Sequence, residues 1–406
     1  MTRAALEGIR VVDLSRVLAG PWSTQNLADL GADVIKIERP GSGDDTRGWG
    51  PPFVARTDTD SRDAAYFFCA NRNKRSLTLD FTHSEGREVL LTLIRQADVL
   101  VENYKVGGLK KYGLDYDTLV NINPRLIYCS ITGFGQDGPY AERPGYDALI
   151  QAMGGLMSIT GEPDSLPGGG PQKVGVAVVD LLTGLYATNA ILAALFHRER
   201  TGEGQQIDIA LLDVQVATLA NQAGNYLLGG SVPQRMGSAH PSIVPYQPVA
   251  CADGYLMLAI GNDSQFASLC RAAGEPERAN DVRFITNEAR VKHRQEVLDW
   301  LLPVMRQRTM DTWCALAERE NFPCGPINTI DRVFRDPQVK ARGMQLRMHS
   351  AAHGDIDLVA SPMRLSKSPV TYRRAPPALG QDSADILREM GYTDDQIASL
   401  QQRRRV

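Results

Sequence analysis

The first third of the chain alternates short apolar runs with stretches of helical periodicity. Residues 9–14 and 32–37 are rich in β-branched side chains and predict strands, and residues 21–30 predict a helix that begins with Pro21 and stops before Gly31. A strand, a helix and a second strand in this order predict a βαβ unit with parallel strands. The same alternation predicts further elements at residues 84–97, 98–102, 126–131 and 206–211.

The hydrophobic pattern changes in the second half of the chain. Residues 181–196 contain no charge and are followed by a basic turn and Gly202, which predicts a buried helix with a glycine stop. After Pro233, residues 250–330 combine one short strand with several amphipathic helices. We therefore expect a second domain to begin near this proline.

Composition excludes several classes of protein. The 406 residues contain 44 Lys and Arg against 47 Asp and Glu, so no broad positive field is available to bind nucleic acid. The six cysteines are far apart and lack the spacing of a zinc site. We find no apolar signal core at the N-terminus and expect no membrane span, because no window reaches about 18 consecutive apolar residues. A cytoplasmic enzyme or binding protein is the expectation.

One glycine motif has the spacing of a dinucleotide fingerprint. Residues 133–138 match G-x-G-x-x-G and follow a predicted strand. Pro139 and Pro144 come directly afterwards, so we expect no helix N-terminus to receive a pyrophosphate. The P-loop, zinc-protease and nucleophile-elbow motifs do not occur in the sequence.

Asp180 is the acidic residue with the most unusual surroundings. Four apolar residues precede it and the uncharged helix follows it, so the sequence supplies no nearby partner for its charge. One explanation is that Asp180 caps the helix N-terminus, where aspartate is a preferred residue. The other is that a poorly solvated carboxylate serves as a nucleophile. The two explanations are compatible, and the sequence leaves both open.

Cations and long loops are weaker candidates. Residues 71–76 contain three cations, and Arg39, Arg47 and Lys111 lie in or beside loops at predicted strand ends, where α/β proteins bind ligands. A run of cations is more often a solvated surface. The loop at residues 161–175 is either a flexible connector or a mobile flap.

Several motifs, in the same order over nearly the whole chain, resemble the family III CoA-transferases. They occupy residues 12–21, 31–41, 73–76 and 101–104 and the Gly-x-Ala-x-x-Asp context of Asp180. A second set is most similar to members that transfer CoA from succinyl-CoA to glutarate; it comprises residues 43–47, 50–54, 128–133, 242–247 and 325–328.

The resemblance implies an architecture that composition does not show. We expect an α/β fold with a Rossmann-like large domain, built on a parallel sheet, from residues 1–225 and 331–406. Residues 226–330 would form a smaller α+β domain. Two such chains would thread through one another as an interlocked homodimer.

The resemblance also implies a chemistry. Asp180 would attack an acyl-CoA thioester and carry CoA as an aspartyl thioester before passing it to a carboxylic acid. Coenzyme A would be a co-substrate, with no prosthetic group and no metal. The positions that match CoA contacts in the family are Val17, Leu18, Arg39, Leu79, Asn103, Tyr104, Lys111 and Tyr146.

Departures from formyl-CoA transferase narrow the expected substrate. Leu18 and Thr82 replace a glutamine and a lysine, and residues 241–247 stand in the region of its glycine-rich flap. Formate and oxalate are therefore not expected, and a C4–C6 dicarboxylate such as glutarate is, with succinyl-CoA as donor. Arg47 and residues 237–247 are the candidates for binding the second carboxylate.

Two other functions remain open at this stage. An α-methylacyl-CoA racemase shares the fold and the aspartate but needs a histidine where this chain has Tyr146. A protein that binds CoA without turnover would share the binding residues and lack the chemistry.

Overall fold

The computed structural model describes residues 3–406, which divide into two compact units. The larger unit comprises the residues up to Gly155 together with Val174–Ala223 and Pro337–Val406. The smaller unit comprises Leu156–Lys173 and Gly224–Asp336. The loop that follows Gly155, assigned above to the large domain, thus groups with the smaller unit. The predicted domain boundaries otherwise stay a prediction.

Thirteen strands are found among the described residues. They are β1 (Arg10–Asp13), β2 (Asp33–Glu38), β3 (Phe53–Ala55), β4 (Arg62–Ala64), β5 (Lys74–Thr78), β6 (Val99–Glu102), β7 (Ile127–Thr132), β8 (Gln205–Ala210), β9 (Tyr246–Ala250), β10 (Tyr255–Ala259), β11 (Cys324–Pro326), β12 (Gln345–Ser350) and β13 (Gly354–Val359).

Seventeen α-helices accompany them in residues 3–406. They are α1 (Ala19–Asp29), α2 (Ala65–Phe68), α3 (Ser84–Arg95), α4 (Tyr116–Leu119), α5 (Asp147–Met153), α6 (Leu156–Ile159), α7 (Val178–Thr201), α8 (Leu211–Ala217), α9 (Ala220–Gly229), α10 (Asp263–Ala273), α11 (Asn287–Lys292), α12 (Arg294–Met305), α13 (Met310–Glu320), α14 (Ile330–Arg335), α15 (Pro337–Ala341), α16 (Ser383–Glu389) and α17 (Asp394–Gln402).

A six-stranded parallel sheet forms the centre of the larger unit. Its strand order is β5-β2-β1-β6-β7-β8, and every neighbouring pair is parallel. Counted within the sheet, this is the 3-2-1-4-5-6 order of a Rossmann fold. Val11 and Val34 face one hydrophobic core, whereas Val12 and Ile35 face the other, so both sides of the sheet are covered. The predicted α/β class is confirmed.

Helix α7 ends as the sequence predicts but is not buried on all sides. Gly202 follows its last residue in the left-handed conformation, with φ at 82°. Ala187 and Ile191 are fully buried in the sheet core, whereas Leu185 and Phe196 are exposed. The apolar sequence identifies the residues that can be buried. Packing against the sheet determines which of these residues are buried in the folded chain.

The expectation of no membrane span stays a prediction, although one helix of residues 3–406 has the length and mean hydropathy of a possible span. Helix α7 is long and apolar enough to cross a membrane. Its buried face packs against the sheet and α1, which is the arrangement of a core helix in an α/β protein.

The smaller unit is built on antiparallel pairing. Strands β9, β10 and β11 form a three-stranded sheet in which β10 is central. Helices α10, α12 and α13 supply Phe266, Trp300 and Trp313 to a core that also contains Leu256 and Leu258 of β10. The α+β character predicted for this part of the chain matches that arrangement.

The cations of residues 71–76 are buried and paired. Lys74 Nζ lies 3.0 Å from Asp13 Oδ2, and the side chains of both residues are fully enclosed. Arg72 forms two bonds to the Asp29 carboxylate on α1. Neither explanation offered from the sequence was right for these two cations, since they form part of the interior. Their partners are distant in sequence, which is why a local pattern did not identify them.

We predict that Lys74→Ala destabilises the protein by about 3–5 kcal/mol, because it removes the cation that is hydrogen-bonded to the buried Asp13 carboxylate. The free energy of unfolding in urea measures the effect. Arg347→Ala, which breaks the exposed pair with Asp357, is the control and should change stability little. Equal effects of the two substitutions would contradict the prediction.

Candidate active site

The strand order places a crevice at the carboxyl ends of β1 and β6. Chain connections leave these neighbouring strands in opposite directions across the sheet, which opens a space where α/β proteins bind ligands. A cavity of about 660 Å³ lies there. Its lining includes the residues that follow β1, β6 and β7 and the start of α7, namely Arg16, Val17, Leu18, Ala19, Asn103, Tyr104, Lys105, Gly133, Gly145, Tyr146 and Asp180.

The two loops beside the crevice are bonded to each other. The Arg16 backbone N–H donates to Asn103 Oδ1 at 2.9 Å, and Asn103 Nδ2 donates to the Arg16 carbonyl at 2.8 Å. Val17 comes next and has a φ of 69°, a strained conformation for a β-branched residue. Its N–H points to the Asp44 carboxylate, 3.3 Å from both oxygens. The loop after β1 is thus held in one shape.

Asp44 is itself held by a buried lysine. Burial opposes ionisation of Asp44, but Lys36 Nζ at 2.8 Å and the Thr46 N–H outweigh that cost and lower the pKa of Asp44 to about 2. Lys36 also donates to the Ser15 carbonyl at 2.9 Å. The anchor for the strained Val17 is therefore charged at any pH in the physiological range.

A second cavity of about 320 Å³ contains the remaining predicted CoA contacts. Arg39, Leu79 and Lys111 line it, and Tyr104 lines both cavities. Arg16, which packs over the Tyr104 ring at 5.7 Å, is also shared between them. The structure thus collects the eight predicted contacts into two adjoining cavities, with Asp180 in the larger one and the cations Arg39 and Lys111 in the smaller.

Asp180 does not cap its own helix. The N-cap of α7 is Ala177, whose side chain makes no capping bond, and Asp180 is the third helical residue. The cap comes instead from Asp147, whose Oδ1 accepts from the Val179 N–H at 2.8 Å and the Asp180 N–H at 3.3 Å. The capping explanation offered for Asp180 is therefore wrong, and the structure transfers that role to Asp147.

The Asp180 carboxylate is poorly solvated and unpaired. Burial, and secondly the negative charge of Asp147, raise the pKa of Asp180 to about 7. Across residues 3–406 the structure shows no hydrogen bond or ion pair to the Asp180 side chain, yet this side chain lines the larger cavity. A half-buried carboxylate of this kind is less masked by water than a fully exposed one, and no cation of the described residues is paired with it, which favours nucleophilic attack.

A close helix contact fixes the position of α7. A Cβ on Gly184 would lie 2.7 Å from the Ala19 carbonyl oxygen and 3.0 Å from the Trp22 side chain, so only glycine allows α1 and α7 to approach this closely. Thr188 adds a hydrogen bond to Ser23 Oγ at 3.1 Å. Because α1 begins at the crevice, this contact fixes the position of Asp180 relative to the loop after β1.

The glycine motif at residues 133–138 forms a closed loop. No helix follows it directly, since α5 begins at Asp147, which agrees with the sequence analysis. Gly133 and Gly145 meet backbone to backbone: a Cβ on Gly133 would lie 2.6 Å from the Gly145 Cα. The pairing of these glycines brings Tyr146 to the cavity.

Arg47 is not available to a ligand. Its guanidinium bonds both Glu38 oxygens, lies 3.2 Å from Asp63 and packs 3.6 Å from the Phe67 ring centroid. Only 6% of the residue is exposed. The expectation that Arg47 binds a second carboxylate is therefore wrong. Residues 237–247 and most of the loop at 161–175, up to Lys173, lie in the smaller unit, and their proposed roles stay predictions.

Two aromatic residues near Asp180 were missed by the sequence analysis. Trp49 lines the larger cavity and packs edge-on against Tyr66, with ring centroids 5.4 Å apart. Burial, and then the nearby negative charges of Cys69, Asp180 and Asp147, raise the pKa of Tyr66 to about 12. Both residues lie in or just after the long polar loop that follows β2, where no local pattern marks them.

The raised pKa of Asp180 predicts a pH-dependent stability difference. The folded chain holds a proton on Asp180 up to about pH 7, whereas the unfolded chain loses it near the ordinary value of 3.8, so this group costs stability as pH rises between them. Asp180→Asn should therefore gain stability over the wild type by up to about 4 kcal/mol above pH 7, and little near pH 4. Urea unfolding at both pH values measures it.

Asp213→Asn is the control for this prediction. Asp213 also lies in the first turn of a helix, α8, but is exposed and absent from the cavity lining. A stability difference between Asp180→Asn and the wild type that stays constant with pH would contradict the prediction.

The chain is similar to known proteins over nearly its whole length. The family model for CoA-transferase family III matches residues 6–383. The chain is 52% identical to a succinate–glutarate CoA-transferase of Agrobacterium fabrum, over 95% of each protein. It is 44% identical to a human succinyl-CoA:glutarate CoA-transferase, over 97% of this chain and 88% of the human protein.

A solved structure gives the same result. A CAIB/BAIF family protein from Brucella suis superposes with a TM-score of 0.84 at 50% identity, covering 96% of this chain and all of the Brucella chain. The match over most of the chain, together with the Rossmann-type sheet and the crevice at its centre, establishes that this chain belongs to CoA-transferase family III.

Proposed function

We propose that this enzyme transfers CoA from succinyl-CoA to glutarate or a similar C4–C6 dicarboxylate, with Asp180 as the nucleophile. The observation that carries the proposal is the unpaired, poorly solvated Asp180 carboxylate on the wall of the larger cavity. The substrate pair is supported by the names of the similar proteins from Agrobacterium fabrum and human.

The first half of the reaction exchanges one activated carboxyl group for another. An Asp180 oxygen attacks the thioester carbonyl of the donor, a C–O bond forms, the C–S bond breaks and CoA leaves as a thiolate. The thiolate then attacks the Asp180 carbonyl of the mixed anhydride, forms the aspartyl-CoA thioester and releases the donor acid as its carboxylate.

The second half reverses these steps with the acceptor acid. Its carboxylate attacks the aspartyl thioester, and the returning thiolate attacks the new acyl carbon, which frees Asp180. Thioesters and carboxylates are conserved in number, so the overall reaction is close to thermoneutral. The main requirements are to exclude water from the activated aspartyl group and to supply donors to each oxyanion.

The two cavities suit the two ends of coenzyme A. Arg39 and Lys111 are exposed cations in the smaller cavity and would bind phosphate groups. Val17, Leu18 and Tyr104 would line the path of the pantetheine arm toward Asp180. Asn103 acts indirectly, through its two bonds to Arg16, and Leu79 and Tyr146 complete the predicted contacts.

The alternatives have less support. Racemisation needs a second base, and none of the residues lining the larger cavity is histidine. A protein that only binds CoA would have no use for an unpaired acid at the cavity wall, because such a group costs stability.

The proposal also includes an interlocked homodimer in the cytoplasm. The exposed apolar side chains Leu185, Tyr186 and Phe196 on α7 support an interface between chains.

Asp180→Ala tests the nucleophile. We expect turnover to fall by at least about 10⁴-fold while CoA affinity is unchanged, because the substitution removes the attacking atom and leaves the binding residues. Hydroxylamine added to the wild type with succinyl-CoA should convert Asp180 to a hydroxamate, found by peptide mass spectrometry. Undiminished exchange in Asp180→Ala, or a wild type without modification at Asp180, would refute the proposal.

A panel of acceptor acids tests the substrate class. With succinyl-CoA as donor, kcat/KM for glutarate should exceed that for a monocarboxylate of the same chain length by at least about 100-fold. An acid without the second carboxylate leaves a hydrogen-bond donor of the site unpaired. Adipate and C4 dicarboxylates define the length preference. Preference for monocarboxylates would overturn the dicarboxylate assignment and leave the nucleophile assignment intact.

A further inference from the structure

Asp147 occupies an unusual position for a second acid. Its Oδ1 accepts from the N–H groups of Val179 and Asp180, and its Oδ2 accepts from Gln151 Nε2 at 2.6 Å. Gln151 is fully buried, and its Oε1 accepts from the Val174 N–H at 2.9 Å. Asp147 and Gln151, one helical turn apart on α5, therefore hold the chain on both sides of Ala177, just before and within the first turn of α7.

Capping alone does not require a charge. Serine, threonine and asparagine cap helices about as well as aspartate. An acid at this point adds a negative charge directly beside another negative group, the Asp180 carboxylate, and helps to raise its pKa. A protein that needed only a stable helix start would gain by a neutral cap here.

Other charged groups near Asp180 do not neutralise the pair. The negative charges of Asp180 and Asp147 both help to raise the pKa of Tyr66 on α2. The charged and titratable side chains that line the same cavity are Arg16, Asp45, Tyr104, Lys105, Arg143, Tyr146 and Asp180 itself. Arg16 is paired with Asp45 at 2.8 Å, and Arg143 packs over the Tyr140 ring at 3.9 Å. Asp147 is the one charged residue bonded to the backbone that carries Asp180 within residues 3–406.

We propose that Asp147 is a positioning residue that also favours acylation of Asp180: its carboxylate holds the first turn of α7 and places a like charge beside the nucleophile, which acylation removes. The inference rests on the proposed function of Asp180. When an Asp180 oxygen forms a C–O bond to the acyl carbon and thiolate leaves, Asp180 becomes neutral and the repulsion from Asp147 ends. Repulsion in the resting enzyme thus becomes a bias toward the covalent intermediate.

The proposal makes a quantitative link between two measurements. The coupling between Asp147 and Asp180 is reciprocal, so the factor by which Asp147 opposes ionisation of Asp180 is the factor by which it favours acylation above pH 8. For a neighbouring carboxylate, roughly one pH unit and therefore roughly tenfold is the expected size. A purely structural cap would produce no such equality.

Asp147→Asn is the test, because its Oδ1 can still accept from Val179. We expect the acidic limb of kcat/KM to move down by about one pH unit, since Asp180 then ionises more easily. The equilibrium constant between free enzyme with succinyl-CoA and aspartyl-CoA enzyme with succinate should fall by about tenfold at pH 8.5. Rapid quench with mass spectrometry of the intact protein gives the second value.

Two further variants separate charge from hydrogen bonding. Asp147→Ser also provides a neutral cap, and replaces Asp147→Asn as the test if that variant does not fold. The double variant Asp147→Asn with Gln151→Glu keeps the donor–acceptor pairing but moves the charge one helical turn, and should give smaller changes than Asp147→Asn. Asp117→Asn removes an exposed first-turn acid of α4 and should behave as the wild type.

The outcomes distinguish this inference from the function on which it rests. A wild type that forms no Asp180 hydroxamate would defeat the proposed function itself. A wild type that forms it, with a pH profile and intermediate equilibrium unchanged in the neutral variants of Asp147, would defeat the inference alone. The inference is also defeated if turnover falls but the shift of the acidic limb of kcat/KM and the fall in the equilibrium constant of the aspartyl-CoA enzyme differ by more than their experimental errors.

Discussion

A half-buried carboxylate without a counter-ion is the constraint on which the active-site architecture depends. The larger unit encloses many other acids, and it supplies each of the most deeply buried with donors. Asp13 meets Lys74, Asp29 meets Arg72 and Asp44 meets Lys36. Even Glu102, whose pKa burial raises to about 7, accepts from Ser130 and the Tyr104 N–H. Asp180 differs from all of these, because its side chain faces an open cavity.

The rest of the larger unit makes that arrangement possible. The 3-2-1-4-5-6 strand order creates the crevice, and the paired loops at Arg16 and Asn103 give it fixed walls. The approach of α7 to α1 at Gly184 then presents the start of α7 to this crevice. The buried ion pairs stabilise the loop conformations at some cost in desolvation, and Asp44 shows the benefit, since it holds the strained Val17 at the cavity edge.

Local patterns predicted what depends on local sequence. Five of the six strands of the parallel sheet lie within about a residue of the predicted segments, because alternation and β-branching report burial directly. The sixth, β5, was not predicted, because Lys74 and Arg75 within it were interpreted as part of a cation run. Asp180 could be singled out because uncharged neighbours on both sides are visible in the sequence itself. The family resemblance then supplied its role and the CoA contacts, which no periodicity contains.

The errors arose where partners are far apart in the chain. Arg72 and Lys74 seemed solvated or ligand-binding because Asp29 and Asp13 are more than 40 residues away. Asp147 was passed over because only folding brings it to the Val179 N–H, 32 residues further on. The sequence also could not show that half of α7 is exposed, because an apolar residue in the sequence can lie either in a core or on a surface.

The energetics of thioester exchange explain why two acids could be tolerated so close together. Donor, aspartyl and acceptor thioesters are similar in free energy, so an enzyme gains rate when none of its covalent states becomes a trap or a barrier. An Asp180 stabilised by a cation would be a weak nucleophile and a poor acceptor of CoA, because acylation would break the ion pair. An Asp180 with a neutral cap would lie between these cases. The Asp147 carboxylate raises the free energy of the resting enzyme with ionised Asp180. It leaves the free energy of the acylated enzyme, in which Asp180 is neutral, almost unchanged. The resting and acylated states are therefore closer in free energy.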